Sequence, residues 1–186
     1  MTKNCAKVFS HAVLPGLSVL DASFVQHHFP KHGHETFSIG VIRSGVNSFL
    51  HRGTRHYATA NSICIINPDE LHTGDTVTED GWNYFNLFPT EAVLADARQA
   101  LGLKPGATYF HCSVMQDAQA ARALHRFATA VAAAASALEV EQHWLALCAL
   151  LFARHAETRM HRARNCCCRA GSRWRARRSM AACRTI

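Results

Sequence analysis

The chain lacks the signatures that most enzyme classes leave in a sequence. It has no nucleophile motif, no Gly-rich phosphate loop and no H-E-x-x-H helix. Its eight cysteines include no C-x-x-C pair. The adjacent Cys166, Cys167 and Cys168 cannot point at one tetrahedral zinc without severe strain. This spacing argues against a zinc ribbon and a disulfide framework and fits a reducing compartment. Cys64 and Cys148 fall inside apolar runs, where a buried reduced thiol is expected. Long apolar runs are also missing. The longest, Trp144 to Ala153, is about half of what a membrane span needs. The early apolar stretch is too broken by His11, Pro15, Gly16 and Asp21 for a signal peptide. A cytoplasmic protein is expected.

Acidic residues are nearly absent from the last part of the chain. Residues 1–153 carry 10 Lys+Arg against 12 Asp+Glu, whereas 154–186 carry 10 Arg against Glu157 alone. The net charge of +7 therefore belongs to the tail and the body is close to neutral, which gives no nucleic-acid footprint on the body. Ten Arg in the tail would bind phosphates weakly and without sequence specificity.

What is present falls into three zones. Up to about residue 89 the chain is rich in β-formers and turn residues. Strands are predicted over Thr36–Ile42, ended by Ser44-Gly45, and over Val46–His51, Arg55–Thr59, Ser62–Ile66 and Trp82–Phe88. Short strands at this spacing suggest an antiparallel barrel or jelly roll. From Thr90 the period changes to helical, with a first helix ended by Gly102. A short strand is predicted at Tyr109–His111. Two Ala/Leu-rich helices follow: Asp117 (as N-cap) to Ala135, and Glu139 to Glu157. They pair most simply as an antiparallel hairpin, with faces broad enough for the barrel and a partner subunit. The fold class expected is α+β: a small antiparallel barrel or jelly roll over 1–89 (to about 115), then a helical hairpin over 116–160. Residues 161–186 show no apolar period and are expected to be disordered.

The chemistry concentrates in His32-Gly33-His34-Glu35 and in Asn67-Pro68-Asp69-Glu70-Leu71-His72. An H-x-H pair on one strand shares a face, and a third His can close on it from a neighbouring strand. His32, His34 and His72 could hold iron, manganese or zinc. A carboxylate would complete such a site, but the positions four and five after His34 are Ser38 and Ile39, and Glu35 points to the other face. An organic ligand or structural hydrogen bonding is therefore preferred to metal, and no cofactor is expected. Thr36 and Ser38 share the face of His34 and imply a polar wall for a small polar effector. His27, His28, His51 and His56 read as surface residues, and Asp69 and Glu70 as turn formers.

The stretches HGHETFSIGVIRSG, SICIINPDELHTGD and GWNYFNLFP, in order before two Ala/Leu helices, resemble the N-terminal sensor half of AraC-family transcription regulators over roughly residues 10–160. The resemblance implies a cupin-like barrel that binds a small-molecule effector, with Tyr84 and Asn86 as pocket residues. It also implies a homodimer through helices 117–135 and 139–157. About a hundred further residues with two helix-turn-helix units would follow in the family. The Cys- and Arg-rich tail stands in their place. A run of CTG leucine codons read one nucleotide out of frame yields cysteine, so residues from about 165 are expected to be a frameshifted, non-native tail, and DNA binding is expected only of a full-length homologue. The expected function is an effector-binding and dimerisation domain, not an enzyme. Two alternatives stand beside it. One is a metal-dependent cupin enzyme, an isomerase or dioxygenase, using His32, His34 and His72. The other is a cupin-like binding module with no transcriptional link.

Overall fold

The computed structural model describes residues 4–159; the predicted disordered and frameshifted tail lies outside them. Nine strands come first: β1 (Cys5–Ser10), β2 (Leu17–Phe24), β3 (His28–His32), β4 (Ser38–Gly45), β5 (Asn47–His51), β6 (Thr54–Ala58), β7 (Ser62–Ile66), β8 (His72–Thr76) and β9 (Trp82–Pro89). Then follow α1 (Glu91–Ala100), β10 (Ala107–Phe110), β11 (Val114–Gln116), α2 (Ala118–Ala132), α3 (Ala137–Arg154) and β12 (Ala156–Arg159). All strand pairs are antiparallel. A six-stranded sheet runs β1-β2-β9-β4-β7-β11, a four-stranded sheet β3-β8-β5-β6, and β10 pairs with β12 alone. This is an α+β fold, a cupin jelly roll followed by helices.

Alternation along the strands of the large sheet decides where the core lies. Val19, Ile39, Val41, Ile63, Ile65, Phe85 and Leu87 turn outward to one apolar core with Leu124, Phe127, Val131, Trp144, Leu147 and Leu151 of α2 and α3. Their neighbours Ile42, Ile66 and Trp82 turn inward to a smaller cluster with Phe49 and Ala58 of the small sheet. Because both faces of β7 are covered, Ser62-Ile63-Cys64-Ile65-Ile66 reads as an unbroken apolar run. Gly81 makes the turn into β9: it has φ +74, and a Cβ there would lie 1.9 Å from the Phe24 carbonyl oxygen, a combination only glycine tolerates.

The helices begin where side-chain caps permit. Thr90 accepts from the Val93 N–H, Asp117 from those of Gln119 and Ala120, and Ser136 from that of Glu139. Asp117 also binds Arg154 and His155 at the far end of α3, at 3.0 and 2.9 Å, so one carboxylate caps one helix and ties down the next. The predicted helix 139–157 is displaced: it starts at Ala137 and stops at Arg154. Residues 156–159 form β12 instead, because their backbone pairs with β10 from Ala107↔Arg159 to Phe110↔Ala156, and a strand partner offers the hydrogen bonds that a further helical turn would have supplied. Strands β1, β2, β3, β8 and β11 come in addition to those read from the sequence.

Candidate functional site

A cavity of about 380 Å³ opens between the two sheets. Its walls are Leu20, Phe24, Phe29, Ile42, Phe49, Cys64, Ile66, Trp82, Tyr84 and Phe88, and its polar groups include His32, His34, His72, Ser38, Asn86, Asn47 and Thr73. No Lys, Arg, Asp or Glu is among the lining residues. The expected polar wall is thus corrected: the cavity is mostly aromatic and aliphatic, with the histidines gathered together. Inward positions of β2, β4, β7 and β9 meet inward positions of β3, β5 and β8, and apolar side chains line the space from every one of these strands except β8, which contributes His72, Thr73 and Gly74.

The three sequence-predicted histidines converge. One ring nitrogen from each lies within 4.8 Å of the others. The His32 and His72 ring centroids are 4.4 Å apart, and His34 sits 4.9 and 5.3 Å from them. The route to this convergence differs from the expected H-x-H strand. β3 ends at His32, and His34 lies in the following loop. There its carbonyl accepts the Asp69 N–H at 2.8 Å, which ties the two histidine-bearing loops together. β3 also carries a bulge between Phe29 and His32, around Pro30, which has no N–H to give the ladder. The bulge shifts the register, so Phe29 opposite Gly74 and His32 opposite His72 both line the cavity despite their odd spacing.

Two of the imidazoles have a defined tautomer. His32 Nδ1 lies 2.7 Å from the Pro30 carbonyl, and His72 Nδ1 lies 3.2 Å from the Glu70 carbonyl. A carbonyl only accepts, so each Nδ1 carries the proton and Nε2 keeps its lone pair. Burial, reinforced by the neighbouring histidines, lowers the pKa of His72 to about 4. Burial and then His32 likewise depress His34. Burial also pushes the Cys64 thiol up to about 12 and raises the Tyr84 phenol, so both stay protonated.

Ser38 and Asn86 face each other across β4 and β9. The Asn86 amide donates to Ser38 Oγ at 2.8 Å, and that hydroxyl lies 3.2 Å from Asn86 Oδ1. Tyr84 stacks beside Trp82, with centroids 6.1 Å apart. Ser38, Tyr84 and Asn86 therefore line the cavity with the three histidines. Thr36 does not. It faces a shallow groove with Gly16, Leu17, Ser18 and Thr90, reached by the other sides of His34 and Phe88. Residues 33–37 are loop, so strand parity does not carry from His34 to Thr36.

A second correction concerns His51, read as a surface residue; it is 1% exposed. Its Nδ1 meets Ser113 Oγ at 2.8 Å and its Nε2 meets Glu70 Oε2 at 3.0 Å. Glu70 is more than a turn former. Its carboxylate also accepts from Arg52 at 2.7 Å, the Asn67 amide at 3.0 Å and the Tyr109 hydroxyl at 3.2 Å. Burial would raise its pKa, but the Arg52 and Asn67 bonds outweigh that and lower it. None of His51, Ser113 or Glu70 lines the cavity, so this chain of bonds holds the loop that presents His72. His27 and His56 are half-buried, against Phe24 and Phe49 respectively, and only His28 of that group is exposed.

Sequence reading missed most of the cavity's apolar residues: Leu20, Phe24, Phe29, Phe49 and Cys64. The alternation in Leu17–Phe24 was the available signal for the first two. Phe29 had none, because the bulge breaks the period.

Solved structures similar to the chain are cupins at low identity. They include KdgF from a Halomonas species, at 17% identity and a TM-score of 0.40, over 45% of this chain and 76% of that one. An RmlC-like cupin from Methanocaldococcus jannaschii matches at 10% and 0.43, over 48% and 83%. The cupin domain of an XRE family transcriptional regulator from Enterobacter cloacae matches at 12% and 0.42, over 47% and 97%. No curated protein matches the chain. The family model of the AraC-like ligand binding domain matches residues 14–148. That span takes in nearly all of the barrel and most of the helical layer, and the chain belongs to the family of AraC-like ligand-binding domains.

Proposed function

We propose that this domain senses a small-molecule effector in the barrel cavity and passes its occupancy to a dimer of a DNA-binding transcription regulator. The observation that carries the reading is the cavity itself: a largely apolar space with three convergent imidazoles, two of fixed tautomer, in an AraC-like ligand-binding domain. A pocket of this size with a few placed polar groups suits recognition. Recognition rather than catalysis is the proposed role, with the lining hydroxyl of Ser38 bonded to Asn86. The free Cys64 and Cys148 thiols suit a reducing, cytoplasmic setting, and no helix among the described residues is long and apolar enough to cross a membrane.

Dimerisation through α2 and α3 is supported by the outer side of α3. Leu138 is 70% exposed there, and Ala146, Ala149 and Ala153 continue the stripe at exposed or half-buried positions, with Leu145 beside it packed in part on the core. In a homologue with a DNA-reading half, effector binding would bias how the two subunits present it. The decisive test is a thermal-shift screen of a chemically diverse library on the full chain and on Cys64→Phe, which fills the cavity. Compounds that stabilise the former and not the latter support the reading. A library with no such compound overturns it. Sedimentation of the chain and of Leu138→Glu with Ala146→Glu, both at exposed positions, tests the dimer, which the double variant should dissociate.

One observation favours a second reading, a metal-dependent cupin enzyme. An Nδ1–H bonded to a carbonyl is how metal-ligating histidines are usually oriented, and His32, His34 and His72 would supply three ligands of an open site. A bound divalent ion there would act as a Lewis acid on a substrate oxygen. Near-stoichiometric metal in untagged protein, lost in His72→Ala, would favour this reading.

A further inference from the structure

The chemistry of the cavity wall restricts its ligand, an argument that rests on the sensor reading above. We propose that the cavity takes an uncharged, flat, hydroxyl-bearing aromatic molecule, its rings against Phe24, Phe29, Trp82 and Tyr84 and its O–H donated to Nε2 of His72 or His32.

Three observations lead there. The first is the charge balance: no Lys, Arg, Asp or Glu lines the space. A carboxylate or ammonium would be buried without a fixed counter-charge, which is costly.

The second is the supply of polar partners. Ser38 and Asn86 bind each other, the Asn47 amide donates to the Asp75 carbonyl at 3.2 Å, and Thr73 Oγ1 accepts the Leu50 N–H at 3.0 Å, which leaves chiefly the histidine ring nitrogens and the single protonated Tyr84 hydroxyl to meet a ligand. A pyranose with a hydroxyl on most of its carbons would bury several of them against aromatic and aliphatic walls. Each unpaired hydroxyl lowers affinity by about tenfold or more.

The third is direction. With both Nδ1 protons committed to the Pro30 and Glu70 carbonyls, the remaining Nε2 atoms accept and do not donate. An acceptor pair selects a ligand that brings its own donor. A phenolic O–H supplies one and leaves the rest of the molecule apolar. The rings fit the walls: Phe24 and Phe29 stand edge to face at 5.2 Å, and Trp82 lies 5.5 Å from Phe24, an arrangement that accepts another ring by stacking or edge contact.

The experiment is isothermal titration of the full chain, stripped with EDTA and dialysed. The probes are 2-naphthol, 2-methoxynaphthalene, 2-naphthoate and glucose. The expected result is binding of 2-naphthol, with the methyl ether and the carboxylate at least about tenfold weaker and no heat from glucose. The double variant with His32→Phe and His72→Phe should bind 2-naphthol and its methyl ether alike. If it does not fold, the two single variants serve, one of which should narrow the difference between naphthol and ether at least about tenfold. Glucose or 2-naphthoate binding as well as 2-naphthol overturns the ligand class and leaves the sensor pocket standing. Equal binding of the naphthol and its ether by the unaltered chain, or naphthol binding only after zinc is restored, overturns the acceptor nitrogens. Silence from all four probes while other compounds pass the Cys64→Phe screen also overturns the class. Failure of that screen is what overturns the sensor reading.

Discussion

On β9, Phe85 and Leu87 turn toward the helices and are buried, whereas Tyr84 and Phe88, one residue away, turn into the cavity and stay half-buried. The same contrast runs along β7, where Ile63 and Ile65 pack under α2 and α3 while Cys64 faces the hollow. One sheet therefore serves two purposes. Its outer face is filled by helical side chains and carries the folding energy. Its inner face is left incompletely filled, at the expense of stability, so that something else can occupy it.

Substitutions separate the two faces most sharply at their largest effects. Phe127→Ala, in the fully buried outer core, should cost about 3–5 kcal/mol in urea unfolding. A cost near 1 kcal/mol would mean that the helices contribute little to the sheet. Next comes the polar cluster that holds the histidine loop. Glu70→Ala strands buried His51 and the Asn67 amide and should cost about 1–3 kcal/mol, with His72 losing its orientation. The second loss would register as a changed His72 ring resonance.

Acid should act on both regions in the same direction. Folding holds His72, His34 and His51 below their ordinary value of 6.5, chiefly by burial. The unfolded chain therefore takes up protons first, and stability falls as pH drops below 6.5, fully for His72 by about 4. Glu70 is depressed despite its burial, by Arg52 and Asn67; Asp117 is depressed first by the Ala120 N–H, then by His155 and Arg154. Their stabilisation is present above the ordinary carboxylate range and is lost as pH falls through the folded values. Urea midpoints followed from pH 7.5 down to pH 2 should thus decline in two phases, the second below about pH 4.5, and His72→Phe should flatten the first. Asp117→Ala, which removes the α2 cap, should cost about 1–2 kcal/mol at pH 7 and less at low pH. The smallest effect belongs to the cavity. Tyr84→Phe should change stability by less than about 1 kcal/mol while altering ligand affinity. A large loss of stability there would show that the inner face is core after all.

Much of the frame was legible in advance because it depends on local pattern. β7 and most of β9 follow from apolar composition and bounding turn residues, and the caps Thr90 and Asp117 follow from side chains that can accept an N–H. The three histidines were legible as a set because their types and spacing survive without geometry. Other features were illegible for identifiable reasons. The bulge at Pro30 shifts parity within β3, so Phe29 could not be placed by counting. Thr36 sits in a loop where alternation has no meaning. His51 is buried because Glu70, nineteen residues later, and Ser113, sixty-two residues later, both reach it, and no window of sequence contains all three. The end of α3 was misread because its competitor, β10, lies nearly fifty residues upstream.

What the sequence determined by itself was the three helices, six of the twelve described strands in their order, and the residue types carrying the chemistry, since these depend on short-range periodicity and capping. The resemblance it carried also pointed to the correct family. Only the tertiary structure decided which face of each strand became core and which became cavity. The reason is physical: alternation defines two faces, but burial on either depends on what packs against it. Here helices cover one face, while the four-stranded sheet stands off from the other and leaves room for a ligand.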